Sequence, residues 1–201
     1  MKKLIFTLLG IVVLTAILSV SIFASSTHTV VKGDSLWKIA VRYEVGLSEI
    51  KSANPQIKNY DLIYPGQVIN LPAKDTTADS YEKEVVRLVN EERAKRGLGE
   101  LTYDWQLSRV ARYKSQDMSD NNYFSHNSKT YGTPFEMMKS FGISYRSAGE
   151  NIARGQATPK AVVDAWMNSS GHRANILSPS FTKIGVGYVS KGKYWTQMFI
   201  S

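Results

Sequence analysis

The most diagnostic part of this 201-residue chain reads Gly-Glu-Asn-Ile-Ala at residues 149–153 and Ala-Trp-Met-Asn-Ser-Ser-Gly-His-Arg-Ala-Asn-Ile-Leu at residues 165–177. It places Glu150 and His172 on either side of a predicted short helix, with His126 upstream in Phe-Ser-His. The chain has three histidines, and these two lie in loops rich in Gly, Ser and Asn, where a side chain can face a cleft. We therefore expect His126, Glu150 and His172 to form one polar cluster.

The N-terminal residues indicate export. Met-Lys-Lys precedes an uncharged run at residues 4–23 and the small residues Ala24, Ser25 and Ser26, which is the pattern of a signal peptide. The run is also about long enough to span a bilayer, so residues 1–26 are predicted as a signal peptide or an uncleaved N-terminal anchor. Either way the rest of the chain lies outside the cell, and it contacts a membrane only if the segment is uncleaved.

Composition excludes several classes of function. The chain contains no cysteine, so it has no disulfide framework, thiolate metal site or thiol nucleophile. Its net charge of +8 falls to +6 without Lys2 and Lys3, and no run of like charges is present. For an exported protein this favours anionic wall polymer or lipid headgroups over nucleic acid as a partner, although a solvated basic surface without a partner explains it equally well. We expect no nucleic-acid partner.

A polar, linker-like segment at residues 73–79 divides the chain into units at residues 28–72 and 80–201. In the first unit, a strand is expected from Val30 and a helix capped by Ser35. A second helix at residues 48–53 and a closing strand at residues 68–71 follow. The predicted order is βααβ. His28, close to the start of this unit, is expected to be exposed.

The first unit resembles the lysin motif (LysM) in Val-Val-Lys-Gly-Asp-Ser-Leu-Trp-Lys-Ile-Ala, Ile-Lys-Ser-Ala-Asn-Pro and Ile-Tyr-Pro-Gly-Gln-Val-Ile-Asn-Leu-Pro. The resemblance implies two helices on one face of a small sheet and a shallow groove for N-acetylglucosamine-containing glycans such as peptidoglycan or chitin. The residues that it assigns to the groove are Gly33, Asp34, Ser35, Leu36, Leu62, Ile63, Tyr64 and Pro65.

Structural roles explain several of these residues at least as well. Turn geometry accounts for Gly33 and Pro65, and helix capping accounts for Asp34 or Ser35. Trp37 is expected in the core rather than as a platform for sugars.

In the second unit, a capping box at residues 79–82 predicts a helix start, and Asp104 begins another helix. Thr133 and Thr158, each followed by proline, predict two further helix starts. Residues 183–189 and 194–200 read as a hairpin, which together with the helices suggests an α/β/α sandwich.

Residues 81–201 resemble the CAP superfamily (cysteine-rich secretory, antigen 5 and pathogenesis-related 1 proteins) in its short, cysteine-free bacterial form. The resemblance lies in Leu-Val-Asn-Glu-Glu-Arg-Ala, Leu-Ser-Arg-Val-Ala, Phe-Ser-His, Ile-Gly-Val-Gly-Tyr and the stretch quoted first. It implies a three-layer α/β/α sandwich with a central cleft. The predicted fold class is thus α+β, a LysM module followed by a CAP sandwich.

In many members of this family, two histidines and two glutamates line the cleft and hold a divalent cation. By position these are His126, His172 and Glu150, while Ser169 stands where the second glutamate is normally found. No cofactor is therefore required, and a divalent cation such as Zn²⁺ is expected to bind His126 and His172 only weakly. The alternatives are a structural network, in which His126 bonds Glu150 and Asn151 bonds backbone, and catalysis by His126, Glu150 and His172. Ser169 and Ser170 are expected to cap a helix end rather than act as nucleophiles.

Two functions compete. In the first, which we favour, a secreted, wall-associated protein binds peptidoglycan through LysM and presents the CAP cleft to a lipid, glycan or protein without catalysis. In the second, the same anchor delivers a peptidase or peptidoglycan hydrolase. Docking on a spore coat or cortex is a further possibility for either.

Overall fold

The computed structural model describes residues 26–201. The predicted signal peptide or anchor, except for its last residue Ser26, lies outside the described residues. Within this range, no helix combines the length and hydropathy needed to cross a membrane. The first module contains β1 (Ser26–Thr29), α1 (Leu36–Tyr43), α2 (Leu47–Ala53) and β2 (Val68–Leu71). The two strands pair antiparallel, which confirms the predicted βααβ order.

A small core holds this module together. Its buried apolar side chains come from both helices, from β2 and from the adjoining loops: Val30, Leu36, Ile39, Ala40, Ile50, Ile57, Ile69 and Leu71. Ser35 caps α1 as predicted, with its Oγ accepting a hydrogen bond from the Lys38 N–H at 3.3 Å. The helix therefore starts where the local sequence indicates.

Three expectations for this module are wrong. The first strand ends at Thr29, and Val30 follows it, donating its N–H to the Gln67 carbonyl at 2.9 Å. His28 is buried, because its ring lies between the Asp34 carboxylate (2.8 Å) and the Tyr43 hydroxyl (3.2 Å). Trp37 is 50% exposed rather than in the core, since a helical residue next to a buried one points about 100° away from it.

The second module places helices on both faces of a four-stranded sheet. Its helices are α3 (Thr76–Ala94), α4 (Trp105–Asp120), α5 (Pro134–Ser140), α6 (Pro159–Met167) and α7 (Ser170–Ile176). Its strands are β3 (Thr102–Tyr103), β4 (Ala148–Arg154), β5 (Lys183–Val189) and β6 (Tyr194–Ile200), in the order β3-β5-β6-β4. α4 and α5 cover one face, and α3, α6 and α7 cover the other. The predicted α/β/α layering and α+β class are confirmed, and the β5–β6 hairpin has its predicted bounds.

Two glycines of Ile-Gly-Val-Gly-Tyr let α4 lie directly on β5. A Cβ built on Gly185 would come within 2.4 Å of the Leu107 carbonyl carbon, and one built on Gly187 within 2.1 Å of the Arg112 nitrogen. The helix also bonds the strand, since Ser108 Oγ accepts from the Val186 N–H at 2.9 Å. Any side chain at either glycine would push helix and sheet apart.

The start of α3 differs from the predicted one. Asp75 caps the helix by accepting from the N–H groups of Thr77 and Ala78, both at 3.0 Å. The predicted capping box at residues 79–82 is therefore inside the helix, and much of the predicted linker at 73–79 is its first turn. Glu82 is instead buried, where its carboxylate accepts from Arg112 (2.7 Å) and from the Tyr188 N–H (3.0 Å); burial raises the pKa of Glu82 to about 7. The caps predicted at Asp104, Thr133 and Thr158 are confirmed.

The two modules contact each other through α2 and α4. The Glu49 carboxylate accepts hydrogen bonds from Arg109 Nε at 2.5 Å and from the Tyr113 hydroxyl at 2.8 Å, while Arg109 also donates to Ser48 Oγ at 2.8 Å. The Arg109 guanidinium lies 5.2 Å from the centre of the Phe141 ring. These contacts form an inter-module joint beside a cavity of about 490 Å³.

Candidate functional site

The predicted polar cluster lies where the loop after α4, strand β4 and helix α7 meet. The loop after α4 supplies His126, β4 supplies Glu150, and α7 supplies His172. The depression in front of them has a volume of about 340 Å³, and we name it the histidine cleft. Its lining residues are Phe124, Ser125, His126, Asn127, Ile152 and His172.

His126 and Glu150 are hydrogen-bonded, as the network hypothesis expects. His126 Nδ1 lies 2.7 Å from Glu150 Oε1, while half of the His126 side chain is exposed and that of Glu150 is almost completely buried. Burial raises the pKa of Glu150, opposed by the hydrogen bond from His126 and by the positive charge of Lys114. Because Nδ1 faces the carboxylate, Nε2 is the imidazole nitrogen left for a ligand. Glu150 Oε2 is buried and has no hydrogen-bond partner among residues 26–201.

Lys114 supports the loop that carries His126. Its fully buried Nζ donates to the His126 carbonyl at 2.7 Å and lies 3.3 Å from the Tyr123 hydroxyl, and burial lowers its pKa. Asp117, one helical turn after Lys114 on α4, accepts a hydrogen bond from Ser128 Oγ at 2.6 Å. This bond holds the same loop at a second point. Sequence reasoning missed this role of Lys114; a lysine among the buried apolar positions of α4 is the signal that could have revealed it.

His172 follows the end of α6 as predicted, but it lies within helix α7 rather than in a loop. Burial lowers the pKa of His172, and the charge of His126 lowers it further. Asn151 Nδ2 donates to the His172 carbonyl at 3.1 Å, which is the predicted backbone bond. Ser169 occupies the N-cap position of α7, but its side chain makes no capping hydrogen bond.

The donor set does not fit a tightly held metal ion. Three protein ligands are usual for zinc with an open position, but Glu150 Oε1 and His126 Nδ1 are bonded to each other, which leaves the other imidazole nitrogens and the buried Glu150 Oε2. Over residues 26–201, no group of three or more His, Asp or Glu side chains is placed to hold a metal ion. Weak binding of a divalent cation by His126 and His172 stays a prediction, as does catalysis by His126, Glu150 and His172.

The loops assigned to glycan binding enclose a second depression of about 220 Å³, which we name the loop groove. Its lining residues are Asp34, Ser35, Leu36, Trp37, Leu47, Lys51, Tyr60, Asp61, Leu62 and Ile63. The structure thus brings together five of the eight predicted residues. Tyr64 lines a neighbouring depression that also includes Leu62, whereas Gly33 and Pro65 line neither. Gly33 has φ +93°, so its turn conformation accounts for the glycine.

The side chain of Asp34 is occupied by structural contacts. Its carboxylate is only 3% exposed, because it accepts from the Val31 N–H (3.0 Å), His28 (2.8 Å) and Arg42 (3.1 Å). The hydrogen bonds from Val31 and His28 lower the pKa of Asp34 to about 2. Asp34 therefore fixes the loop, and its carboxylate is not exposed to a ligand in the groove. Sequence reasoning missed Trp37, whose exposed indole lines the groove.

Comparison with known proteins agrees with both modules. Residues 86–199 match the model of the cysteine-rich secretory protein family, and residues 28–72 match the LysM domain model. Over 125 residues the chain is 65% identical to the uncharacterized protein YkwD of Bacillus subtilis (strain 168), covering 62% of this chain and 49% of that protein. Over 47 residues it is 51% identical to the spore coat assembly protein ExsA of Bacillus cereus, covering 23% of this chain and 7% of that one.

A solved structure shares the fold. An extracellular protein containing an SCP domain from Bacillus anthracis str. Ames superposes with a TM-score of 0.60 and 35% identity. The match covers 68% of this chain and 47% of that chain. This chain therefore spans about half the length of YkwD and of the solved protein.

Proposed function

Because the chain belongs to the cysteine-rich secretory protein (CAP) family and carries a LysM domain, we propose that it is an extracellular, cell-wall-associated protein. In this proposal the first module binds N-acetylglucosamine-containing glycan of peptidoglycan. The second module presents the histidine cleft to a lipid, glycan or protein partner without catalysing a reaction. The resemblance to a spore coat assembly protein over 47 residues makes a spore surface a second possible location.

The loop groove supports glycan binding most directly. Trp37 and Leu62 both line the groove and are about half exposed. Exposure of the Trp37 indole costs the hydrophobic stabilisation that burial would give, which is consistent with a role in binding. An aromatic face and an aliphatic side chain suit the apolar faces of a pyranose ring, while loop amides suit its acetamido group. The position of Trp37 is the observation on which this part of the proposal rests.

The contacts within the histidine cleft favour a non-catalytic role. Glu150 is almost completely buried and its Oε1 is bonded to His126, so little of its carboxylate is accessible to a ligand. Ser169, at the helix N-cap position, has no base paired with it in the hydrogen bonds of the described residues. One observation favours the hydrolase alternative: a buried carboxyl with a raised pKa beside an imidazole resembles a general acid–base pair.

Sedimentation with purified peptidoglycan sacculi tests the glycan-binding proposal. We expect the protein to pellet with sacculi and Trp37→Ala to weaken retention about tenfold, equivalent to about 1.4 kcal/mol. Val41→Ala is the matched control, because Val41 is an exposed residue of the same helix outside the loop groove. Equal retention of Trp37→Ala and wild type would contradict the role of Trp37, and no retention of wild type would contradict the proposal.

The supernatants of the same experiment separate the two functions of the second module. The binding proposal predicts no soluble muropeptides or glycan fragments above a protein-free control. Fragments released by the wild type and lost in His172→Ala would establish the hydrolase instead. Retention of His172→Ala on the sacculi is the control that its first module is intact.

A further inference from the structure

An exposed aromatic ring stands at the margin of the histidine cleft. Phe124 is 49% exposed, while most large apolar side chains of the second module are buried. It lies next to Ser125, His126 and Asn127 in sequence and lines the cleft with them. The cleft thus offers one flat apolar face beside hydroxyl, imidazole and amide groups.

The lining of this cleft has no acidic side chain and no lysine or arginine. The nearby cation Lys114 is buried and bonded to the His126 carbonyl, and Glu150 lies beneath His126. A cationic headgroup would therefore find no carboxylate among these lining residues, and an anionic headgroup would find only the two imidazoles. A long acyl chain would find too little apolar wall, because Phe124 and Ile152 are the apolar lining residues.

The adjoining edge of the sheet is also closed to a peptide strand. Two carbonyl groups of β4 accept side-chain hydrogen bonds at this edge: Glu150 O from Asn175 Nδ2, and Ile152 O from Trp166 Nε1, both at 3.2 Å. Strand addition requires free backbone groups along the edge. The side chains that cover β4 thus make an extended peptide a poor ligand.

We propose that the histidine cleft binds a neutral N-acetylated sugar, with the ring of Phe124 stacked on the pyranose. Ser125 and Asn127 supply donors and acceptors for the sugar hydroxyl and acetamido groups, and His126 Nε2 supplies a further acceptor. The inference rests on the proposed wall association, and it names the ligand class of the second module. Two weak sugar sites on one chain would strengthen retention on a polymeric glycan through their effective concentration.

NMR titration of the isotope-labelled protein with the β-1,4-linked tetramer of N-acetylglucosamine tests this inference. We expect amide resonances of residues 124–127 to shift and saturate, separately from those of the loop groove. In Phe124→Ala the dissociation constant at the cleft should rise at least tenfold, whereas Phe124→Trp should retain binding because it keeps an aromatic face. Phe135→Ala is the matched control, since Phe135 is 46% exposed in the same module but outside the cleft.

The outcomes separate this inference from the proposed function. Shifts in the loop groove without shifts at residues 124–127 would overturn the cleft site and leave LysM binding intact. Equal cleft affinity in Phe124→Ala and wild type would overturn the role of the ring. Shifts at residues 124–127 alone would support the cleft site while contradicting glycan binding by LysM. Unchanged β5–β6 hairpin resonances in each variant confirm that the module is folded.

Discussion

Asp34 shows how one carboxylate can fix the loop on which the proposed glycan site depends. It joins the His28 ring of β1, the Val31 amide of the following loop and the Arg42 guanidinium of α1. None of these partners is predictable from periodicity, since each depends on how the loop folds back over the strand. The same fold-back buries His28, for which position near the chain start predicted exposure.

Asp34→Asn should destabilise the first module near neutral pH. The folded-state pKa of about 2 lies below the ordinary value of 3.8, so the ionised carboxylate stabilises the folded state above about pH 3.8, and this contribution is lost as pH falls towards 2. Urea unfolding of the first module, followed by its NMR resonances at pH 5 and pH 2, measures the effect. A lower midpoint at pH 5 and a smaller pH dependence than wild type are expected, and an unchanged midpoint at pH 5 would contradict this account.

The sequence predicts the residues of the histidine cleft better than their surroundings. His126, Glu150 and His172 come together as expected, because each lies in a sequence motif whose place in the fold the family resemblance indicates. Trp37 differs from its predicted position because helical spacing gives only the direction of a side chain. Whether that direction is buried depends on neighbouring elements that the local pattern does not contain.

At the scale of elements, local signals predict most helix and strand bounds. The caps at Asp104, Thr133 and Thr158 and the β5–β6 hairpin depend on residues within one turn, and all are confirmed. The start of α3 is not decided locally, because Asp75 and Asp79 are both acceptable caps. Burial of Glu82 against α4 and β5 extends the helix through Asp79 and selects Asp75.

Gly187→Ala should destabilise the second module by about 1–3 kcal/mol, the usual cost of inserting a methyl group into a closely packed contact. The physical reason is that an added Cβ would lie 2.1 Å from the backbone of α4. Chemical denaturation followed by tryptophan fluorescence measures the change. Gly171→Ala is the control, because nothing lies within 4 Å of its Cβ position; equal stabilities of the two variants would show that α4 does not approach β5 this closely.

On the scale of the whole molecule, the sequence predicts two modules but not their contact. Glu49 and Arg109 are 60 residues apart and belong to different sequence motifs. Only the folded chain brings α2 against α4, where Tyr113 and Phe141 surround the ion pair. We therefore expect the loop groove and the histidine cleft to keep a fixed relative orientation.

Glu49→Ala should loosen the inter-module joint while leaving each module folded. The pair joins two modules that each have their own hydrophobic core, so we expect increased relative motion rather than unfolding. ¹⁵N relaxation should give the two modules one rotational correlation time in wild type and two different times in Glu49→Ala. The exposed Glu91 of α3 provides the control variant Glu91→Ala, and two different times in wild type would contradict a fixed joint.

We expect the first module to recognise the glycan of the wall rather than only the wall's negative charge. Displacement of sacculus-bound protein measures this directly, with the soluble tetramer of N-acetylglucosamine in one series and sodium chloride in the other. Charge attraction between exposed groups is largely screened at 1 M salt, so a basic surface alone would be released by salt. We predict that the tetramer releases the protein at low salt, whereas 1 M sodium chloride without sugar leaves most of it bound. Release by salt alone, with no effect of the tetramer, would contradict the account.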